Sequence, residues 1–123
     1  MNTKKLILIV EDDHDLREVF KYFIEMDSLY ETVAVEDGIK AYKWLSENKA
    51  PDLVLTDFYM YGRGDLLARS LVRLDIPVLI LTSSPCEAIK ALKDLNIKVP
   101  VVDKVCCVHT IVSLIDKMIL PKK

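Results

Sequence analysis

The stretch Leu6-Ile-Leu-Ile-Val-Glu-Asp-Asp13 joins an apolar run to three consecutive acids. A second apolar run, Pro51-Asp-Leu-Val-Leu-Thr-Asp57, also ends in an acid. Both runs have the length and composition of buried strands. In a parallel sheet, the carboxyl ends of the strands share one edge, where α/β folds place their chemistry. The sequence therefore predicts a cleft in which carboxylates converge, repel one another and favour a divalent cation.

Two further apolar runs end in polar residues that complement this cleft. Pro77-Val-Leu-Ile-Leu81 leads to Thr82, and Val99-Pro-Val-Val102 leads through Asp103 to Lys104. With a short run at Tyr30 to Val35, the chain has five predicted strands alternating with five helical patterns. Such alternation predicts an α/β fold: a doubly wound (βα)5 flavodoxin-like sandwich with a five-stranded parallel sheet. We expect a first helix from about Asp13 to Met26.

Composition narrows the class of protein. The 123 residues fit one domain, which we expect to span 1–123, and the formal net charge is −2 without a basic stripe, so nothing indicates direct nucleic-acid binding. No stretch has the order of a signal peptide or the length of a membrane span, which predicts a soluble, cytoplasmic protein with no membrane partner. Three cysteines without metal-ligand spacing, at 86, 106 and 107, predict reduced structural thiols.

The acidic, acidic, hydroxyl and amine side chains at successive strand ends follow an order that resembles the receiver domain of response regulators in two-component signalling. The opening LILIVEDDHDLREVF resembles the family's first strand, acid pair and first helix. Asp57, followed three residues later by Met60, resembles the phosphoacceptor motif. Thr82 and Lys104 resemble the threonine or serine and the lysine that the family has later in its sequence. The resemblance covers nearly the whole chain and implies a stand-alone receiver, since the chain ends with its fifth predicted helix.

The resemblance also implies a chemistry for these residues. Asp57 would accept a phosphoryl group from a phosphohistidine on a sensor histidine kinase or a histidine phosphotransfer protein, and the product would signal to a downstream protein. The implied Mg²⁺ ligands are Asp12 and Asp57, with Glu11 acting through water and the backbone carbonyl of Tyr59 added. Lys104 and the Thr82 hydroxyl would each contact a phosphoryl oxygen.

Simpler explanations exist for several of these residues. Asp13 is expected to serve only the first turn of its helix, where acids are favourable. Thr82 could be an ordinary β-branched strand residue, and Lys104 an ordinary solvated lysine. His14 is expected to be a surface residue. Ser84-Pro-Cys-Glu87 predicts a capping box with proline at the first helical position.

Three positions depart from the family pattern. Val105 replaces the proline that usually follows the lysine, so we expect a trans peptide bond and a rearranged loop. Val101 replaces the usual aromatic switch residue, and Tyr61 replaces the proline that commonly follows the methionine. These changes leave open a second function, that of a pseudo-receiver which binds proteins independently of phosphorylation.

Enzymatic alternatives fit less well. A haloacid-dehalogenase-type phosphatase would need a second aspartate two residues after the nucleophile, where this chain has Tyr59. A flavodoxin-like cofactor site would place phosphate against the acidic loop that follows the first strand, which would repel it. We therefore expect a signalling protein rather than an enzyme.

Overall fold

The computed structural model describes residues 4–105 and 108–120. Ten elements alternate along the chain: β1 (Lys5–Val10), α1 (His14–Glu25), β2 (Tyr30–Val35), α2 (Gly38–Glu47), β3 (Leu53–Asp57), α3 (Gly64–Arg73), β4 (Val78–Thr82), α4 (Pro85–Asp94), β5 (Val101–Asp103) and α5 (Val108–Ile119). The strands form one parallel sheet in the order β2-β1-β3-β4-β5. The predicted doubly wound fold is confirmed.

Alternation along the central strand β3 divides the core into two layers. Leu53 and Leu55 pack on one face of the sheet with α1 and α5, and Val54 packs on the other with α2, α3 and α4. Both faces are covered, which explains the continuous apolar runs Leu6–Val10 in β1 and Val78–Leu81 in β4. The carboxyl ends of β1 and β3 lie side by side, with Val10 paired to Thr56.

The start of α1 follows the prediction closely. The Asp13 side chain accepts hydrogen bonds from the backbone N–H of Asp15 at 2.9 Å and of Leu16 at 3.1 Å. It therefore satisfies two of the N–H groups that a helix start leaves without partners. Asp13 is the N-cap and Met26 the C-cap, so the helix lies just inside the predicted bounds.

The predicted capping box at α4 is wrong. Pro85 opens the helix as expected, but the Ser84 side chain makes no capping hydrogen bond. Instead the backbone N–H of Ser84 donates to Thr82 Oγ1 at 3.0 Å, which fixes the turn from the strand side.

The last strand also begins later than predicted. β5 starts at Val101 rather than Val99, since Pro100 has no N–H to donate and contributes only its carbonyl, which accepts from Ile80 N at 3.0 Å.

The cysteine prediction is partly wrong. Cys86 is a free thiol but lies exposed on α4, so it does not serve packing of the core. The other two cysteines, at 106 and 107, lie outside the described residues. No helix in the described part of the chain combines the length and hydrophobicity required to span a bilayer.

Candidate functional site

Glu11 follows directly on β1 and its side chain is buried, with 1% of its surface exposed. Its backbone N–H donates to Val35 O at 3.1 Å, which continues the sheet pattern past the strand end. One carboxylate oxygen, Oε2, accepts from the N–H of Asp13 at 3.1 Å. The fold therefore holds this carboxylate inside the protein, at the floor of the cleft.

Asp57 is the last residue of β3 and is 4% exposed. Its Oδ1 accepts from the backbone N–H of Tyr59 at 3.2 Å, and its Oδ2 accepts from Lys104 Nζ at 2.9 Å. The hydrogen bond from Phe58 N to Leu81 O at 3.1 Å extends the pairing of β3 with β4 beyond the strand end. The carboxylate is thus fixed from the backbone on one side and from an ammonium group on the other.

Lys104 connects the two buried acids. Its Nζ lies 2.9 Å from Asp57 Oδ2 and 3.0 Å from Glu11 Oε1, and its side chain is 19% exposed. Its backbone N–H donates to Thr82 O at 2.9 Å, which continues β5 against β4. The peptide bond to Val105 is trans, as expected. Lys104 therefore points toward Asp57 despite the valine that follows it.

Three carboxylates form a group that fits a divalent cation. One oxygen each from Glu11, Asp12 and Asp57 lies within 4.8 Å of the other two, and Asp12 is exposed while the others are buried. Glu11 Oε1 is fully buried and, although the ammonium is near, has no aligned hydrogen bond. An all-oxygen group with one solvent-facing member matches magnesium, which binds through few carboxylates and keeps several waters.

The electrostatic environment of the buried acids is unusual. Burial raises the pKa of Glu11, and the nearby charge of Asp57 adds to the increase. Burial also raises the pKa of Asp57, because the hydrogen bond and charge of Lys104 offset it only in part. Burial alone would lower the pKa of Lys104, but its hydrogen bonds to Asp57 and Glu11 outweigh this effect and raise it. One ammonium group faces two buried carboxylates, so the site keeps a negative charge that a metal ion would offset.

The structure gives less direct support for the predicted roles of Thr82 and Tyr59, the two remaining site residues. Thr82 is buried at the end of β4, one residue past Leu81, the partner of Asp57 in the sheet. Its Oγ1 already accepts from Ser84 N, so its hydroxyl proton stays available for donation. For Tyr59, the backbone N–H contacts Asp57, and the metal-ligand role of its carbonyl stays a prediction.

The loop between β3 and α3 needs its glycines. Gly62 has φ of +94°, and Arg63 has φ of +60°, a left-handed conformation uncommon for a residue with a side chain. A side chain at Gly64 would place Cβ only 2.3 Å from Phe58 O. The loop therefore folds tightly over the end of β3.

Sequence reasoning missed two residues beside this site. Arg17 Nη1 donates to Glu11 O at 2.8 Å and so braces the turn between β1 and α1. Its position four residues after the N-cap Asp13, on the same face of α1, was the available signal. Glu87 accepts a hydrogen bond from the Tyr59 hydroxyl at 3.2 Å. No local pattern indicates that contact, because its partners lie on separate elements.

A sequence profile of the response regulator receiver domain matches residues 7–106, which include every predicted site residue. The chain belongs to this family. Receiver domains act in two-component signalling, where phosphorylation and magnesium binding are typical. They interact in general with histidine kinases or phosphotransfer proteins.

Individual relatives agree with this assignment. The phosphate regulon transcriptional regulatory protein PhoB of Pseudomonas aeruginosa is 37% identical over 84 residues, which cover 64% of this chain and 36% of the relative. A putative two-component response regulator of Arabidopsis thaliana is 30% identical over 81 residues, or 63% of this chain and 13% of that protein. The chain thus matches about a third or less of the length of these curated relatives.

Solved structures show the same fold. The receiver domain of a signal transduction histidine kinase from Syntrophus aciditrophicus is 29% identical, with a TM-score of 0.79 over 94% of this chain and 89% of that one. The response regulator TrrA of Thermotoga maritima, solved in complex with Mg²⁺ and BeF, is 25% identical, with a TM-score of 0.79 over 93% and 98% of the two chains.

Proposed function

We propose that this receiver accepts a phosphoryl group on the carboxylate of Asp57 from a phosphohistidine donor. The observation that supports it best is the position of Asp57: buried at a strand end, hydrogen-bonded to Lys104 at 2.9 Å, and within one group of oxygens with Glu11 and Asp12. The donor would belong to a sensor histidine kinase or a histidine phosphotransfer protein, and a downstream protein would read the result. A cytoplasmic location and a stand-alone role stay predictions.

Asp57 acts as the nucleophile in this proposal. A carboxylate oxygen attacks phosphorus in line, the bond between phosphorus and the donor imidazole breaks, and an acyl phosphate forms on Asp57. The hydrogen bond from Tyr59 N limits rotation of the carboxylate, so one oxygen stays oriented while the other reacts.

Lys104 neutralises charge on the transferred group. Its ammonium contacts both buried acids and sits on a flexible four-carbon stem, so it can exchange one carboxylate contact for a phosphoryl oxygen without moving the backbone. We assign the Thr82 hydroxyl to a second phosphoryl oxygen, supported by its burial at the neighbouring strand end and its free proton.

Magnesium would be held by Asp12 and Asp57, with Glu11 acting through water and the Tyr59 carbonyl added. It would supply positive charge against the repulsion between anionic carboxylates and the anionic phosphoryl group. Glu11 Oε1, which is buried and accepts no hydrogen bond, and the raised pKa of both buried acids support this assignment.

The direct test is incubation with acetyl phosphate and magnesium, followed by intact mass. We expect one added phosphoryl group in the wild type and in D94N, a control at an exposed acid on α4, and none in D57N. Lys104→Ala should slow the reaction or blunt its structural response while leaving metal binding largely intact. A wild-type chain that gains no mass under these conditions would exclude the proposal.

That result would favour the second candidate, a pseudo-receiver that binds proteins without phosphorylation. The observation behind this alternative is Val101, a half-buried valine on β5 at the position where the family pattern has an aromatic switch. A valine has neither a ring to rotate inward nor a hydroxyl to rearrange a hydrogen bond. Without this aromatic readout of phosphorylation, the protein would act only by binding other proteins through its surfaces.

A further inference from the structure

The turn that carries Asp12 is anchored through the peptide groups on both of its sides. On one side, Arg17 Nη1 donates to the carbonyl oxygen of Glu11 at 2.8 Å. On the other side, the backbone N–H of Asp13 donates to Glu11 Oε2 at 3.1 Å. These two hydrogen bonds fix the peptide before Asp12 and the peptide after it. The direction in which the Asp12 side chain leaves the turn is therefore set by its neighbours and by Arg17.

Asp12 depends on this anchoring because its own side chain is exposed. Glu11 and Asp57 are held differently, since both are buried and both contact Lys104. Packing does not limit the position of Asp12 in the same way. Even so, one of its carboxylate oxygens lies within 4.8 Å of an oxygen of each of the other two acids. The geometry of the three-carboxylate group therefore depends, at this one member, on the backbone of the turn.

Arg17 provides the anchor from a rigid element. Its backbone N–H donates to Asp13 O at 2.9 Å within the first turn of α1, and the buried side chains of Phe20 and Ile24 hold that helix against the sheet. Its Nη2 lies 3.1 Å from His14 Nδ1, which accepts the hydrogen bond because a guanidinium group can only donate. The half-buried guanidinium thus has two acceptors, which together define its orientation.

The Glu11 carbonyl depends on Arg17 alone within the described part of the chain, where no second donor reaches this oxygen. Glu11 is buried, so a carbonyl group that lost its donor there would be poorly solvated. The turn would have to shift to give this oxygen another partner. Asp12 is the next residue and would move with it.

We propose that Arg17 is a positioning residue for the divalent cation, which fixes the turn so that the Asp12 carboxylate stays beside Asp57. The inference rests on the proposed function, because it takes Asp12 and Asp57 as the metal ligands. Arg17 is not itself a ligand, since a guanidinium group has no acceptor atom. Groups that orient metal ligands typically contribute about 10- to 100-fold to metal affinity.

A role of Arg17 through its charge alone predicts the opposite result. Its guanidinium is a cation close to a group of three acids, so removal of the charge would make the site more negative and strengthen Mg²⁺ binding. Removal of the hydrogen bond to Glu11 O would instead weaken Mg²⁺ binding. The sign of the change in affinity therefore distinguishes the two roles.

Isothermal titration calorimetry of the whole chain with MgCl₂ measures this change. We expect Arg17→Met to weaken Mg²⁺ binding by about tenfold or more. Arg17→Lys should weaken it by about threefold, because it keeps the charge but replaces a fork of donors with a single ammonium group. The control is Arg69→Met, at a half-buried arginine on α3, which packs on the opposite face of the sheet from α1. This control should stay within about twofold of the wild type.

Phosphorylation by acetyl phosphate gives a second measurement. In Arg17→Met, the Mg²⁺ concentration that gives half the maximal rate should rise by about tenfold, while the rate at saturating Mg²⁺ should stay within about twofold of the wild type. A merely structural role would lower the rate at every Mg²⁺ concentration. Circular dichroism without metal shows whether each variant is folded.

An affinity for Mg²⁺ equal to or above that of the wild type, in either folded Arg17 variant, would overturn this inference and leave the proposed function intact. Arg17→Lys decides by the same criterion if Arg17→Met does not fold. A wild-type chain that neither binds Mg²⁺ nor gains a phosphoryl group would overturn the inference and the proposed function together.

Discussion

Replacing Lys104 with methionine should destabilise the protein strongly in the absence of divalent metal. Methionine keeps the apolar stem but removes the ammonium, which contacts Asp57 Oδ2 at 2.9 Å and Glu11 Oε1 at 3.0 Å. The two acids, 4% and 1% exposed, would then face each other without a positive charge. Protonation of one of them is the route by which the folded chain can reduce this repulsion.

The magnitude follows from the geometry. Opposite charges 3 Å apart attract by about 5 kcal/mol at an effective dielectric of 20, and burying the ammonium costs several kcal/mol in lost hydration. Removing one partner of a buried ion pair costs about 3 to 5 kcal/mol in general. Because the Lys104 side chain keeps 19% of its surface exposed, we expect the lower end, about 3 kcal/mol.

Urea unfolding at pH 7 with a chelator measures this loss. A decrease of about 3 kcal/mol corresponds to a midpoint lower by about 1.5 M. K43M, a change at an exposed lysine on α2, should leave the midpoint unchanged. Millimolar magnesium should raise the midpoint of K104M more than that of the wild type, because the cation replaces the missing charge. The same midpoint for K104M and the wild type without metal would refute this electrostatic reasoning.

Three further expectations concern metal, hydrogen bonding and pH. Magnesium should raise the melting temperature of the wild type, since it binds only the folded state. The increase should be much smaller in D12N. Equal increases in the melting temperatures of the two proteins would exclude Asp12 as a ligand. Tyr30→Phe should cost about 1.5 kcal/mol in urea unfolding, because the buried hydroxyl donates to an Asp116 carboxylate at 2.5 Å. The free energy of unfolding should fall as pH rises above the ordinary value of 4.5 for a glutamate. Burial raises the pKa of Glu11, so the native state holds its proton longer than the unfolded chain does. Replacing Glu11 with glutamine should flatten this slope, and an unchanged pH profile would contradict it.

The strands and the acids at their ends could be predicted because the signals are local. Apolar runs of three to five residues that lead to Glu11, Asp57 and Thr82 indicate buried parallel strands without any knowledge of their neighbours. Parallel pairing then brings those ends to one edge of the sheet. The convergence of Glu11, Asp12 and Asp57 follows from this rule alone.

Other features depend on tertiary packing, to which a sequence pattern gives no access. The sequence did not reveal that Lys104 would contact Glu11 as closely as Asp57, because this depends on the path of a long side chain. The missing cap at Ser84 has a similar cause, since the Thr82 hydroxyl accepts a hydrogen bond from the backbone N–H of Ser84 at that turn.

The contact between Gly38 and Gly62 links the loop after Asp57 to the start of α2. A Cβ at Gly38 would lie 2.6 Å from Gly62 O, one at Gly62 would lie 2.8 Å from Ile39 N, and Gly38 N donates to Tyr61 O at 2.8 Å. Two backbones in direct contact have no side chains between them that could adjust. Any displacement of the loop on modification of Asp57 must therefore carry the first turn of α2 with it. Amide hydrogen exchange should show the two segments opening as one cooperative unit.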